Sequence, residues 1–225
     1  MPTEGLININ GDSVQVLQIL FLTTMITLLP SLAVMMTSFA KYVISLSFLR
    51  TAMGTQQNPP NMVLVGLAIF LTLLTMQPVF QQINTQALEP YQEEEISEEE
   101  FLDRAVVPLK RFMLDNTDEG ALGLYCDLAG METPLGEASV DLPLHIVVPS
   151  FMTSELKEAF LIGFLLYIPF VLIDIVVAST LMSMGMIMLP PAMISTPFKL
   201  LLFISVNGWE MLFAALVRGV GLGLP

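Results

Sequence analysis

The chain alternates between long apolar stretches and shorter polar ones. Four apolar runs, at residues 14–39, 62–80, 160–181 and 198–217, contain few charged side chains. An α-helix rises about 1.5 Å per residue, so runs of this length can cross roughly 30 Å of hydrocarbon. The pattern therefore predicts an all-α integral membrane protein with four apolar helices.

The polar segments between the runs predict how the chain is divided. The linker at 41–61 contains Lys41 and Arg50 and no acidic residue, so the positive-inside rule places it in the cytoplasm. The segment after the second run then lies outside the cytoplasm, and the loop after the third run lies inside. We expect three parts: apolar helices 1 and 2 at 1–80, an inserted helical extracytoplasmic domain at 81–152, and apolar helices 3 and 4 at 153–225.

The extracytoplasmic segment carries nearly all of the net charge. Residues 81–150 contain fifteen acidic and three basic side chains, against a net charge of −13 for the whole chain. Ser97 and Glu100 form a capping box at the start of one predicted helix, and Asp118 is placed to cap a second one. The prolines and glycines at 130–149 predict irregular chain there.

The composition supports a membrane protein and argues against several other classes. Hydrophobic residues make up 54% of the chain and charged residues 13%. The acidic balance argues against binding to nucleic acid or anionic lipid, since both require basic patches. Cys126 is the single cysteine, so we expect neither an intrachain disulfide nor a cysteine-based metal or redox motif. Residues 1–12 lack the features of a signal peptide.

The sequence offers little catalytic chemistry. His145 is the single histidine, and the chain contains no nucleophile elbow, no phosphate-binding glycine loop and no cluster of side chains at metal-ligand spacing. We therefore expect a protein that is not an enzyme and that binds no cofactor and no metal.

Two charged side chains fall within apolar runs. Charges are rare in membrane helices, so each one marks a candidate functional site. Asp174 in the third run and Lys199 at the start of the fourth favour an ion pair, within or between subunits. The alternative is that Lys199 extends toward the membrane surface while Asp174 is hydrogen-bonded among the helices.

Residues 182–191, here called the methionine loop, read Met-Ser-Met-Gly-Met-Ile-Met-Leu-Pro-Pro. Proline ends a helix there, and unbranched thioether side chains form a deformable apolar surface, which predicts a gasket that closes a hole. Two alternatives remain open. The thioethers could bind Cu(I) in a copper channel, although only Met182 and Met186 share a helix face. They could also be ordinary apolar filler in a membrane scaffold.

Specific motifs occur in order over essentially the whole chain. With these motifs the chain closely resembles the FliP family of flagellar export-gate proteins. The injectisome homologue, SctR, shares several of them and is the alternative, while Pro-Leu-Lys-Arg-Phe-Met-Leu at 108–114 looks more like the flagellar branch. The motifs are Met-Thr-Ser-Phe at 36–39, Leu-Arg at 49–50, Gly-Thr at 54–55, Pro-Pro-Asn at 59–61, Thr-Ser-Glu-Leu-Lys at 153–157, Ile-Asp at 173–174, the stretch at 185–191 and Pro-Phe-Lys-Leu at 197–200.

The resemblance implies a function and a setting. FliP-like chains form a ring of five that is joined by FliR and FliQ at the flagellar basal body, in the bacterial inner membrane. Unfolded flagellar proteins pass through the middle of this type III export gate. FlhB, FlhA and FliO are further implied partners. The apolar segments are expected to pack as helical hairpins, with the domain at 81–152 on the periplasmic side.

The resemblance also implies which residues form the gasket. They are Met186, Ile187 and Met188, with Gly185 and Met184 beside them. Many family members have three consecutive methionines at the positions of Met186, Ile187 and Met188. The isoleucine in the middle is β-branched and therefore stiffer about χ1 than methionine.

Other positions match residues that the family places at subunit contacts or in packing. Asp174 and Lys199 match its charged positions in the third and fourth segments, which supports the ion pair. Glu155 matches an acidic position at the junction with the extracytoplasmic domain. Phe112 and Tyr125 match aromatic positions inside that domain.

Overall fold

The computed structural model describes residues 6–9, 12–55, 57–134, 136–186 and 188–221. The regular elements of these residues are helices, apart from an antiparallel hairpin of β1 (Leu6–Ile9) and β2 (Asp12–Gln15). The signal-peptide prediction rests partly on residues outside this description. The helices are α1 (Val16–Met35), α2 (Phe39–Met53), α3 (Asn61–Ile83), α4 (Glu89–Gln92), α5 (Glu98–Asp115), α6 (Glu119–Leu128), α7 (Leu144–Ser183), α8 (Pro191–Ser205) and α9 (Gly208–Arg218), with a π-helix at Asn84–Leu88 and a 3-10 helix at Gly136–Asp141.

Several of these helices are suited to a membrane. Two continuous segments, Asn61–Gln92 and Leu144–Ser183, are long and apolar enough to cross one. Two pairs reach the same length across a bend, α1 with α2 at 63° and α8 with α9 at 64°, so the described residues provide up to four spans. The bend between α1 and α2 falls at residues 36–38 and not at Pro30, which lies inside α1.

The prediction of a linker at 41–61 is wrong over most of its length, because much of this stretch belongs to α2. Tyr42, Leu46, Leu49 and Met53 recur at helical spacing, and each is at most 3% exposed. They pack into the core that α2 forms with α3 and α7. Burial of this apolar stripe stabilises a helix that a search for long uncharged runs overlooks.

The two basic residues of that stretch are used inside the fold. Arg50 donates a hydrogen bond to the Pro59 carbonyl at 3.3 Å and to Asn61 Oδ1 at 2.5 Å, which closes the turn between α2 and α3. Lys41 is buried against α7. Neither residue is a free loop charge, so the positive-inside argument for the orientation of the chain loses its basis.

The helix starts predicted for the acidic segment are confirmed. Ser97 Oγ accepts a hydrogen bond from the Glu100 backbone N–H at 3.3 Å, and Asp118 Oδ1 accepts one from the Gly120 N–H at 2.8 Å. Both caps satisfy backbone donors that have no partner within the helix. Helix α5 continues through Pro108.

Helix α7 begins earlier than the sequence pattern predicts. It starts at Leu144, so residues 153–155 lie inside the helix, and the irregular chain expected up to 149 stops at 143. Val147 and Phe151 are fully buried, and the Phe151 ring packs edge-on against Phe112 with centroids 5.8 Å apart. This burial extends the helix beyond the apolar run that hydropathy marks.

Candidate functional site

Helix α7 ends within the methionine loop in a Schellman motif. The Gly185 N–H donates to the Met182 carbonyl and the Met186 N–H donates to the Leu181 carbonyl, both at 3.0 Å. Gly185 has φ of 77°, a left-handed conformation that glycine adopts without a steric penalty. The sequence therefore fixes the point at which the chain leaves the helix.

Prolines fix the other end of the methionine loop. Pro190 is the N-cap of α8 and Pro191 is its first residue, where the missing N–H breaks no helical hydrogen bond. The loop is therefore held between two helix ends, and only a few residues separate them.

The methionine side chains of the loop have little cover from their own chain. Met188 is 99% exposed, Met184 67%, Met182 63% and Met186 44%. Ile187, the middle residue of the predicted gasket, lies outside the described residues. A connected apolar surface of this kind requires lipid or other protein to cover it, or a function that uses it.

The copper alternative gains nothing from this geometry. Helix α7 ends at Ser183, so Met182 and Met186 do not lie on one helical face. Among the described residues no group of three or more His, Cys, Asp and Glu could hold a metal ion.

The structure brings Asp174 and Lys199 together. Lys199 Nζ on α8 lies 2.6 Å from Asp174 Oδ2 on α7. Lys199 is 6% exposed, so its ammonium is held inside the protein and does not extend toward a membrane surface. Burial of such a charge without a partner would cost several kcal/mol, and the contact with the Asp174 carboxylate offsets this cost.

Lys199 also joins a third helix to this pair. Its ammonium donates to the Ala52 carbonyl at 3.2 Å, in the last turn of α2, where the helix dipole favours a cation. Gly54 ends α2 with φ of 72°, and a Cβ there would lie 3.3 Å from Thr196 Oγ1 on α8. One lysine on α8 therefore connects the last turn of α2 to α7.

Glu155 is buried in a second charged cluster, which the sequence reading missed. Lys41 on α2 lies 2.7 Å from Glu155 Oε1 and 2.8 Å from Glu158 Oε2, both on α7. Lys41 and Glu155 are 1% and 0% exposed. One signal could have found Lys41: it is the single charge in a further apolar stretch that continues the first run as far as Arg50.

Phe112 and Tyr125 connect α5 and α6 to α7. Phe112 is buried against Phe151, and the Tyr125 hydroxyl lies 3.1 Å from Thr153 Oγ1. Both contacts lie within a single chain. They position the acidic segment on the first half of α7.

The corner between α5 and α6 adds an ion pair. Lys157 on α7 donates to Asp118 Oδ2, and the Asp118 N–H donates to Ser154 Oγ at 2.9 Å. The hydrogen bond from Lys157, together with that from the Gly120 N–H, lowers the pKa of the Asp118 carboxyl below its ordinary value. The cap of α6 is thus fastened to α7 by charge as well as by hydrogen bonds.

Comparison with known proteins identifies the family. The sequence profile of the FliP family matches residues 22–216. The chain belongs to the FliP family. It is 47% identical over 208 residues to the flagellar biosynthetic protein FliP of Aquifex aeolicus, covering 92% of this chain and 87% of the relative. It is 48% identical over 201 residues to the FliP protein of Bacillus subtilis, covering 89% and 90%. The FliP protein of Caulobacter vibrioides is 45% identical over 227 residues, covering 97% and 85%.

The FliP match includes every residue of the candidate site. The matched region extends from α1 into α9, and it contains the methionine loop, both charged clusters and the contacts of Phe112 and Tyr125. Membership in the FliP family agrees with the long apolar helices, and this chain is a membrane protein related to flagellar biosynthetic proteins.

Proposed function

We propose that this FliP-family chain is the pore-forming subunit of the flagellar type III protein export gate, through which unfolded flagellar proteins cross the bacterial inner membrane. The observation that carries the proposal is the methionine loop, which is apolar, largely exposed in the single chain and anchored at both ends. The subunit itself catalyses no reaction, and transport is driven by its partners.

The chemistry of the loop suits a seal of this kind. Methionine loops from several subunits would converge on an axis and leave an apolar constriction that excludes ions by dewetting. Thioether chains rotate about three bonds and are polarizable, so they can deform around a passing polypeptide of varied sequence. Met186, Ile187 and Met188 form the narrowest part in this proposal.

The assembly is part of the same proposal. Five copies form a ring with FliQ and FliR, and FlhB, FlhA, FliO and the exported flagellar proteins contact it. The acidic segment at 81–152 forms the domain on the periplasmic side, where its carboxylates are solvated. The relatives named above are all flagellar proteins, which favours the flagellar branch over the injectisome.

The Asp174–Lys199 pair supports the loop in this proposal. It ties α7 to α8 and to the end of α2, so the two helices that carry the loop are held at a fixed separation. Rigid helix ends allow the loop residues alone to move when a substrate enters.

Replacing Met186, Ile187 and Met188 together with glycine tests the gasket. Glycine removes the apolar side chains, so the closed assembly should leak ions while remaining assembled. The measurement is the conductance of the purified complex in planar lipid bilayers, with assembly checked by native gel electrophoresis.

Met131→Gly provides a matched control for the triple variant. Met131 is also an exposed methionine outside any helix, but it follows α6 in the acidic segment. It should leave the conductance unchanged. A triple variant that assembles and conducts no more than the control would rule out the gasket.

A further inference from the structure

The interface between α2 and α7 contains more negative than positive charge. The Lys41 ammonium contacts two carboxylates, that of Glu155 at 2.7 Å and that of Glu158 at 2.8 Å. Glu155 is fully buried, while the Glu158 side chain is 40% exposed. With all three groups ionised, this cluster carries a net charge of −1, and the imbalance is costly for Glu155, whose carboxylate is fully removed from water.

The same interface contains polar atoms that lack partners. Neither carboxylate oxygen of Glu155 accepts a well-aligned hydrogen bond from the described residues, although one oxygen is close to the Lys41 ammonium. The hydroxyls of Ser38, directly before α2, and Ser45 on α2 are likewise buried without a partner in that part of the chain. Buried polar atoms are nearly always hydrogen-bonded, so the Glu155 carboxylate lacks a hydrogen-bond donor that the described residues do not supply.

Nearby cations do not balance the excess charge. Lys157 directly precedes Glu158 in α7, but it is paired with Asp118. The corner of α5 and α6 contributes further acids. The titratable or charged groups that face or adjoin the cluster are Lys41 and Tyr42 on α2, Glu155, Lys157 and Glu158 on α7, and Asp115 and Asp118 at the α5–α6 corner.

We propose that the buried Glu155 carboxyl, with the Glu158 carboxylate at the same Lys41 ammonium, holds one proton, so that the α2–α7 interface contains a proton-binding site. One proton from solvent adds to a carboxylate oxygen, an O–H bond forms, and the net charge of the cluster changes from −1 to zero. Two carboxylates that share one site retain a proton because their like charges repel. The new hydroxyl can donate a hydrogen bond to an acceptor in the interface.

The position of Glu158 gives the proton a route from solvent. Glu158 lines a cavity of about 480 Å³ together with Lys157, Asp118 and the backbone of Gly219 and Gly221. A Cβ placed on Gly219 would lie 3.6 Å from Glu158 Oε1, so the segment after α9 approaches this carboxylate closely. Glu158 thus connects the buried Glu155 to the surface at the acidic segment. The site does not depend on the proposed gate function.

Infrared spectroscopy of the full chain in lipid nanodiscs tests the proposal. At neutral pH the wild type should show the carbonyl absorption of a protonated carboxyl group, which ionised surface acids do not give. Glu158→Gln leaves one carboxylate opposite Lys41, so no proton is needed and the absorption should be lost. Glu155→Gln should also remove it, because it removes the carboxyl group that holds the proton.

Glu99→Gln is the matched control, because Glu99 is exposed in the first turn of α5. It should leave the absorption unchanged. Circular dichroism shows whether each variant is folded, and Glu158→Gln, at the half-exposed position, answers the question even if Glu155→Gln does not fold. Absence of the absorption in the wild type would overturn the proposal, and so would its persistence in folded Glu158→Gln.

Discussion

Lys199 connects three helices through a single side chain. Its ammonium meets the Asp174 carboxylate and the Ala52 carbonyl, so three helices depend on a single charge. The Asp174 carboxylate is half-exposed, whereas the Lys199 ammonium is nearly buried. Removing Asp174 should therefore destabilise the fold more than removing Lys199, because it leaves a buried charge without its counter-ion.

Reversing the two charges tests whether the pair matters for function. Asp174→Lys places two ammonium groups together and should abolish export of flagellar proteins. Adding Lys199→Asp should restore export only in part, because the new carboxylate would face the negative end of α2 at Ala52. Secretion assays on the single and double variants measure this, and a double variant no better than Asp174→Lys would count against the pair.

Gly185 allows the effect of loop geometry to be isolated. Gly185→Ala adds a methyl group into open space, so its cost comes from φ of 77° alone and should be roughly 1 kcal/mol of unfolding free energy. Gly66→Ala is the control, since Gly66 also has open space around it but lies inside α3. It should be neutral or stabilising. Equal thermal unfolding temperatures for the two variants would show that Gly185 is not held in the left-handed conformation.

Residues whose role is set by near neighbours could be predicted from the sequence. Ser97 and Asp118 cap helices through contacts of three residues or fewer, and both caps are present. The positive-inside rule places Lys41 in a cytoplasmic linker, whereas its partners lie more than a hundred residues away on α7. A charge in an apolar stretch indicates that a partner is required, but the sequence does not show where the partner is.

Helix α7 is the central helix of the fold, and four of the other described helices pack against it. It runs for 40 residues and contacts α2, α5, α6 and α8. Gly163 allows a close approach of α2, because a Cβ there would lie 2.5 Å from the Phe48 ring. Helix α7 therefore links the acidic segment directly to the methionine loop.

The pair between Asp118 and Lys157 predicts a dependence of stability on pH. Because the pKa of Asp118 is lowered in the folded protein, its ionised form stabilises the fold at neutral pH. This contribution is present above the ordinary pKa of about 4 and is lost as the pH falls through the lowered value. The difference in unfolding temperature between the wild type and Asp118→Asn should therefore shrink on acidification.

Glu99→Gln removes an exposed charge of the same sign and serves as the control for Asp118→Asn. Calorimetry over a pH series provides the measurement. A difference between the wild type and Asp118→Asn that stays constant down to about pH 3 would contradict the pairing of Asp118 in the folded state.

The boundaries of elements were harder to predict than their existence. The apolar runs mark segments whose side chains face lipid or protein all round. Helix α2 and the start of α7 are buried on one side only, so their sequences mix polar and apolar residues and contain no long apolar run. Leu46 and Val147 are buried by helices distant in sequence. Hydropathy averaged along the chain does not register such contacts.

The whole molecule exposes more apolar surface than a soluble chain could. Helix α1 contacts little beyond β2 and α2, and its large side chains, such as Phe21 at 65%, are uncovered. Long exposed apolar faces on α3 and α7 repeat this pattern. Such a chain requires lipid or further protein subunits around it, which agrees with a membrane assembly.

Disulfide crosslinking of Met188→Cys in native membranes tests most directly whether the methionine loops converge on a shared axis. The one native cysteine, Cys126, is buried and should contribute little background. Met62→Cys, at the exposed first turn of α3, is the control for chance collisions. The gate proposal predicts subunit dimers from Met188→Cys under mild oxidation, at a higher yield than from Met62→Cys. An assembled Met188→Cys protein that yields no more dimer than the control would contradict it.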